Sequence, residues 1–407
     1  MAQNYDIVII GGGIIGNSIA AHLANESENE KLKIAVINSS DLGIPASQAA
    51  AGLLTPFQLG EMENHSLKEF CLKSFEYFLN FQKQISEECK VNLGFSQSGS
   101  LYLIFSNLEF AQKENEIKKL RSITSSKISF INKQDISKLE PQITKEALNA
   151  YYYHEEAFIN NPKFLKAIME YCIERKVDYI NSEVKEINVS KSRVESLLLK
   201  NNECIYAKNF VLCNGIWAND LLKKLFGTSE DLIKAVKGEV IQIESNKDLE
   251  SLEKIIFCKE GYLLPRPATN QYETSSILVG STYEEINTEK CLNPFYNSVH
   301  GVNSLLNLFQ RILPAYSEFS ISKMWSGLRP KTKDSLPVIG QTEQFENLIL
   351  ALGHYRNGIL MGPYTGKLIT ELIMSGQSEY DLGLFKLERL LKPTSENKTN
   401  QHLITNH

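Results

Sequence analysis

Residues 5–10 read YDIVII, a β-branched run too continuous for a half-exposed strand, which predicts a parallel strand buried on both faces. The run breaks at GGGIIG, after which Asn17 to Ala24 carries helix formers and Lys33 to Ile37 (KIAVI) reads as a second apolar strand. Strand, glycine turn, helix and strand in that order predict a βαβ unit. Ala46 to Leu54 (ASQAAAGLL) is small and uncharged. Asn64, His65 and Ser66 then introduce an amphipathic helix from about Leu67 to Cys89, with Ser66 as its N-cap.

The pattern then changes character. GSLYLIF (Gly99 to Phe105) reads as a sheet strand and Glu109 to Leu120 as a charged helix. NPKFLKAIMEYCIERK (Asn161 to Lys176) predicts a helix with Pro162 in its first turn, followed by the strand YINSEVKEINV. NFVLCNG (Asn209 to Gly215) is a buried-type strand ending at glycine, whereas from Val236 to Ser281 segments such as EVIQIE, YLLPR and SILVGSTY alternate as an antiparallel sheet would. ENLILALGHYRNGILMGPYTGKLITELIMSG returns to strand, glycine-rich turn and helix. Alternation between the two characters predicts a mixed α/β (α+β) fold. A Rossmann-like nucleotide-binding domain, residues 1–92, 150–228 and 322–390, is interleaved with an antiparallel-sheet domain, residues 93–149 and 229–321. Residues 391–407 form a polar segment that reads as a mobile tail.

Composition narrows the function classes. The 407 residues are 43% apolar and 22% charged, a globular balance with room for two domains. A formal charge of -5 without a basic cluster excludes nucleic acid as the natural partner. Seven scattered cysteines (Cys71, Cys89, Cys172, Cys204, Cys213, Cys258, Cys291) with no C-x-x-C pair argue against a disulfide framework or a zinc site and for a reducing compartment. Ile7 to Ala24 follows Asp6 rather than a basic region and is interrupted by four glycines, so it does not read as an export signal. No uninterrupted apolar run approaches the roughly 20 residues of a membrane span, and a cytoplasmic enzyme is expected.

Gly11, Gly13 and Gly16 form G-x-G-x-x-G between a buried strand and a helix, where phosphate can approach bare backbone and the helix N-terminus beyond Ile14 and Ile15. The amide dipoles there favour an anion by roughly 0.3 to 2 kcal/mol. The bland alternative is a structural turn; the flanking strand and helix favour a dinucleotide. The acid expected to end the second strand is absent: Asn38 stands there, followed by Ser39, Ser40 and Asp41. Asn38 can accept from a ribose hydroxyl without the strength of a carboxylate, so cofactor retention is expected to be weaker and Asn38→Glu to tighten it.

ASQAAAGLL, MWSGLRPKTKDSLPVIG and GHYRNGILMGP together resemble the bacterial glycine oxidase family, within the D-amino-acid oxidase (DAO) superfamily of FAD-dependent oxidoreductases, in order and spacing over nearly the whole chain. The resemblance implies FAD, bound without a covalent link, rather than NAD. It implies flavin contacts at Ser47, Gln48, Ala50, Ala51, Gly52 and Leu53, an adenine contact at Val184, and further contacts at Gly215, Trp217, Gly327, Arg356, Asn357, Gly358, Ile359 and Leu360. AAAGLL could equally be a packed small-residue helix start and Trp217 a core residue.

Arg329 and Arg356 each lie in what reads as a glycine-bearing turn after an apolar segment, and a guanidinium offers a planar fork matched to a carboxylate. The alternative for each is a surface ion pair. The resemblance places Arg329 on a substrate carboxylate with Tyr262 adding a phenol hydrogen bond, and Arg356 on the same pocket or the flavin. Gly52, Leu53 and Tyr283 would line that pocket, with a core tyrosine as the competing reading of Tyr283. No Ser/His/Asp arrangement or metal-ligand spacing occurs, and His354 reads as a residue that orients its turn.

The implied activity is oxidative deamination of glycine, sarcosine or D-alanine by hydride transfer to flavin N5. Dioxygen would be reduced to hydrogen peroxide and the imine would feed thiamine thiazole synthesis. A D-amino-acid dehydrogenase passing electrons to a quinone or carrier is the nearest alternative. A covalent flavin of the sarcosine oxidase kind is opposed by Gly327 and Leu328 where that family has its cysteine, and a tRNA-modifying enzyme by the acidic charge. A flavin-binding scaffold without turnover is opposed by the joint presence of Arg329, Tyr262 and Arg356. Thr55 to Glu63 is a candidate lid, and homo-oligomerisation stays open.

Overall fold

A strand that is apolar without alternation is stable only when both its faces are covered. The computed structural model, which describes residues 3–30, 32–40, 44–58, 64–245, 252–287, 293–314 and 319–391, places YDIVII accordingly inside a parallel sheet. Asp41, Cys291, positions 59–63 of the expected lid and the expected tail from Pro393 lie outside the described residues.

In chain order, β1 (Gln3–Ile10), α1 (Ile14–Glu30) and β2 (Ile34–Asn38) form the βαβ unit, and α2 (Ala46–Ala49) and β3 (Leu53–Leu54) lead to α3 (His65–Glu88). β4 (Ser100–Ile104), α4 (Asn107–Arg121), β5 (Ile128–Asn132), α5 (Lys133–Leu139) and β6 (Asn149–Tyr153) make the first excursion into a second sheet. The chain returns through β7 (Ala157–Phe158), α6 (Asn161–Glu174), β8 (Asp178–Asn181), β9 (Val184–Ser190), β10 (Arg193–Leu199), β11 (Cys204–Leu212) and α7 (Asn219–Phe226). β12 (Ile233–Ser245), β13 (Ile255–Cys258), β14 (Gly261–Arg266), β15 (Ser276–Gly280), β16 (Glu284–Ile286), α8 (Val299–Ile312) and β17 (Phe319–Thr332) complete the second sheet and its helix. β18 (Val338–Gln341), β19 (Leu348–Leu352), α9 (Gly358–Ser375) and α10 (Glu388–Leu391) close the first.

The first sheet runs β18-β19-β11-β1-β2-β8, with β1 parallel to both β11 and β2. Ile7 and Ile9 pack under α1, α3, α6 and α9, while Val8 and Ile10 face the opposite core with Leu221, Leu222 and Leu225 of α7. Each such side chain taken fully out of water contributes about 1.5 to 3 kcal/mol. The second sheet runs β16-β12-β15-β14-β13-β4-β6-β5, with β17 added along β12. Its strands alternate: Leu263 packs beneath Leu305 and Leu308 of α8, and Tyr262 and Leu264 turn to the other face beside Ala51 and Phe158. That second face looks back at the first sheet.

Three local expectations are corrected. The cap of α3 is Asn64, whose Oδ1 accepts from the Leu67 N–H at 3.1 Å, because the helix begins at His65, one residue before Ser66. YINSEVKEINV is two strands, β8 parallel to β2 and β9 antiparallel to β10, because the chain leaves β2 at Ser182, whose N–H donates to the Asn38 carbonyl. The expected domain boundaries at 150 and 322 cut through β6 and β17, and the strand partners of both lie in the second sheet. Among the described residues no helix is long and apolar enough to cross a membrane.

Candidate active site

β1 gives way to Gly11, whose φ of +118° only glycine adopts freely, and the turn then presses against the end of β11. A Cβ on Gly16 would stand 1.9 Å from the Gly11 carbonyl oxygen, so the first turn of α1 closes on the loop only because that side chain is missing. The Ile14 N–H donates to Ser47 Oγ at 2.9 Å. Asn38 folds back over the turn, where its Oδ1 accepts from the Gly12 N–H at 3.1 Å and keeps one lone pair for a further donor.

From this turn a cavity of about 1370 Å³ extends to the inner face of the second sheet. Drug-sized ligands occupy roughly 300 to 1,000 Å³, so the space suits a dinucleotide together with a small second molecule. Of the residues expected here, all line the cavity except Gly16, Gln48 and Leu360. Gly16 lies beneath the turn, Gln48 points to solvent from α2, and Leu360 is 1% exposed in the core at the start of α9. Trp217 is half-buried at the wall rather than in the core. Asn214, absent from the sequence-based set, also lines the cavity, and its buried Oδ1 has no hydrogen-bond partner. Its only signal in the sequence is its place before Gly215 at the end of a buried strand.

Residues 47–54 cross the middle of the cavity: one turn of helix, then extended chain, then Gly52 at φ +81°. A Cβ on Gly52 would come within 2.2 Å of the Ile159 carbonyl. Donors from afar hold this segment from behind. Asn161 Nδ2 donates to the carbonyls of Ser47 and Ala50, the Trp325 indole N–H to Ala49 at 2.9 Å, and Arg266 to Ala51. Phe57 and Gln58, in the described part of the expected lid, pack against the second sheet; Phe57 stacks on Tyr153 and Gln58 accepts from Lys113 at 3.2 Å.

Arg329 lies on β17, inside a strand and not in a turn as expected. The glycine that marked the spot is Gly327, paired across to Gly238 of β12, and the guanidinium occupies the space a Cβ on Gly238 would fill. Pro330 is tolerated because, among the described strands, β17 has β12 as its one partner and is an edge strand; beyond it only Lys331 bridges to His354. Arg329 donates to Ser281 Oγ at 2.7 Å and to the carbonyls of Thr282 and Lys237 at 3.3 and 3.4 Å. No carboxylate among the described residues pairs with it or with Arg356. Burial pulls its pKa below the ordinary arginine value; Tyr262 opposes this and Arg356 adds to it. Tyr262 is 8% exposed at the cavity wall, and burial raises its phenol pKa against the pull of Arg329.

Arg356 sits at the mouth, exposed, 5.6 Å from the Tyr283 ring and 5.2 Å from the Tyr355 ring. Tyr283 is 49% exposed, which removes the core reading, and its hydroxyl donates to Glu285 at 2.7 Å. His354 is buried, shares a hydrogen bond with Thr365 Oγ1 at 3.1 Å, and has its pKa lowered to about 3 by burial. At neutral pH it is therefore uncharged and holds the turn. Among the described residues no group of His, Cys, Asp or Glu is arranged to hold a metal ion.

The FAD dependent oxidoreductase family matches residues 6–372. The chain is 27% identical to the glycine oxidase of Bacillus subtilis, over 96% of this chain and 98% of that protein. It is 28% identical to the bifunctional protein ThiO/ThiG of a Nostoc species over 96% of its own length, but spans only 56% of that longer protein. The solved glycine oxidase of Geobacillus kaustophilus superposes with a TM-score of 0.83 at 25% identity, covering 95% of this chain and 98% of that one.

Proposed function

Because the chain belongs to the FAD-dependent oxidoreductase (DAO) family, we propose that its cavity holds FAD beside a small amino acid and that it works as an oxidase of the glycine oxidase kind. The observation that carries this reading is Arg329, a cation in the cavity wall with no carboxylate partner among the described residues and a phenol, Tyr262, beside it. A charge in such a place costs free energy until an anion pairs with it, and a carboxylate matches the guanidinium fork in charge and shape. A charge-assisted hydrogen bond contributes about 1.5 to 3 kcal/mol, so fixing the acid group also fixes the neighbouring carbon.

The residues present fit FAD. The glycine turn and the N-terminus of α1 would take the pyrophosphate, Asn38 and Ser39 the ribose, Val184 the adenine, and residues 47–53 with the turn 353–359 the flavin. Gly327 and Leu328, where a covalent link would need a cysteine, favour a flavin released by acid precipitation. When bound, FAD would supply the redox step, taking a hydride from the substrate Cα and passing two electrons to dioxygen to give hydrogen peroxide. The protein's part is to orient the carboxylate with Arg329 and Tyr262 and to crowd the mouth with Tyr283 and Arg356. No residue needs to act as a general base, and the neutral ring of His354 is engaged by Thr365.

Glycine, sarcosine and D-alanine are the proposed substrates, differing by a methyl group worth about 1 to 3 kcal/mol in a pocket. The likeness to proteins named ThiO/ThiG supports iminoglycine supply to thiamine thiazole synthesis as the destination of the product. The test is a panel of these amines, read by anaerobic bleaching of the yellow protein and by peroxide release. Bleaching with less than one peroxide per turnover would assign a dehydrogenase, and no bleaching with any amine would remove the reading.

A further inference from the structure

The carbonyls of Ser47, Ala49, Ala50 and Ala51 all point away from the cavity into donors brought from elsewhere. Arg266 stands apart from the other two donors. It is charged, has no carboxylate partner among the described residues, and bonds two carbonyls on separate chain segments, that of Ala51 and, at 2.7 Å, that of Ile159. The Ile159 N–H in turn donates to the Gly52 carbonyl at 2.9 Å. Gly52 is thus enclosed, and a Cβ there would lie 3.3 Å from the Arg266 guanidinium.

Arg266 ends β14, four residues beyond Tyr262 and on the same face of the strand. One short strand therefore carries both the phenol at the cavity wall and the clamp on the segment that crosses the cavity. A guanidinium can hold two carbonyls in one plane with a fixed separation, which a single ammonium point cannot.

We propose that Arg266 is a positioning residue, a staple between β14 and the Ala51–Gly52 turn that fixes the seat of the flavin relative to the Tyr262 hydroxyl. The inference rests on the proposed placement of FAD and an amino-acid carboxylate. Its charge, with no carboxylate to cancel it, also lies one backbone layer behind that seat and favours an added electron there.

The experiment compares Arg266→Met and Arg266→Lys with wild type as FAD-loaded proteins. The readouts are the visible flavin spectrum, the midpoint potential by dithionite titration against a redox dye, and kcat and KM for glycine and sarcosine. Arg266→Met is expected to shift the spectrum, lower the potential and reduce kcat by about tenfold or more with a much smaller change in KM. Arg266→Lys should restore the potential but only part of kcat, since it keeps the charge and loses one carbonyl. Wild-type spectrum, potential and kcat in a folded Arg266→Met protein would overturn the proposal, as would a drop in melting temperature with none of these readouts moved. If Arg266→Met does not fold, wild-type kcat in Arg266→Lys overturns it equally. The potential and spectrum need no substrate, so they decide the matter even if no amine in the panel is oxidised.

Discussion

The two ends of the cavity are built from different parts of the chain. At the glycine turn the wall is main chain, with Gly11 to Ile14 presenting backbone and Ser47 and Asn38 merely bracing it. At the second sheet the wall is side chain, with Arg329 and Tyr262 reaching in from two strands, Tyr283 from the link before β16 and Arg356 from a turn. Main chain can grip any phosphate-bearing dinucleotide, whereas a guanidinium and a phenol choose an acid group. Substitutions should therefore separate the two ends: one class should empty the protein of flavin, the other should leave it yellow and inactive.

The largest effect belongs to the side-chain end. Arg329→Ala leaves the glycine turn untouched and removes the charge-assisted interaction proposed for the substrate carboxylate, so kcat/KM should fall by about 100-fold or more while FAD content stays at the wild-type level. Loss of flavin along with activity would show that the two ends are not separable. The main-chain counterpart is Gly16→Ala, whose Cβ would stand 1.9 Å from a backbone oxygen and force the turn open. FAD affinity should weaken by about tenfold or more, as for an overpacked core site. The anaerobic rate of reduction by glycine in the protein that still holds FAD should change little. Equilibrium dialysis and stopped-flow bleaching read the two quantities separately.

The same division explains what could be read from the sequence. Glycines at G-x-G-x-x-G spacing and a continuous apolar strand are local signals, and the turn they encode is local too, so the βαβ unit was legible from residues 5–37. Arg329 was legible as a residue through its motif but not in its setting. Gly327 suggested a turn, and the reason for that glycine, the pairing with Gly238 some 90 positions away, is a tertiary fact. Arg266, Asn161 and Trp325 left no signal: each bonds a carbonyl 111 to 276 residues away, and no pattern in one segment announces a partner in another. Gln48 and Leu360 are expected at the cavity from the family resemblance, but one turn of helix carries adjacent side chains to different sides.

The fold that carries the side-chain end should also respond to pH. Glu156, at the second sheet, is buried, and burial raises its pKa to about 8, with Ser100, Lys113 and the backbone of Phe57 and Gln58 partly offsetting it. Its folded-state pKa is above the ordinary carboxylate value of 4.5, so the folded protein holds a proton that the unfolded chain releases. Stability from this group is complete below about pH 4.5, falls as pH rises, and is fully lost above about pH 8. Glu156→Gln removes the titration, so the melting temperature of wild type relative to the variant should decline between pH 5 and pH 8.5, by about 2 °C or more, a change on the order of 1 kcal/mol. A constant difference across that range would mean that Glu156 is ionised in the folded protein.

The smallest effect sits where the main-chain end borrows a side chain. Asn38 takes the place of the acid that commonly ends the second strand of a dinucleotide fold, and its Oδ1 is turned onto the Gly12 N–H at 3.1 Å. Asn38→Asp keeps the shape, retains an oxygen for Gly12 and offers a second, charged oxygen to a ribose hydroxyl, so it tests chemistry without the added methylene of Asn38→Glu. A charged acceptor is roughly twice as strong as a neutral one, but here it replaces an acceptor already half committed and would lie near the proposed pyrophosphate site. The expected gain is therefore modest, a tightening of the FAD dissociation constant by about threefold, with the kinetics of substrate oxidation unchanged. An unaltered constant would mean that the ribose does not lean on residue 38, and that the glycine turn and α1 hold the nucleotide end with backbone alone.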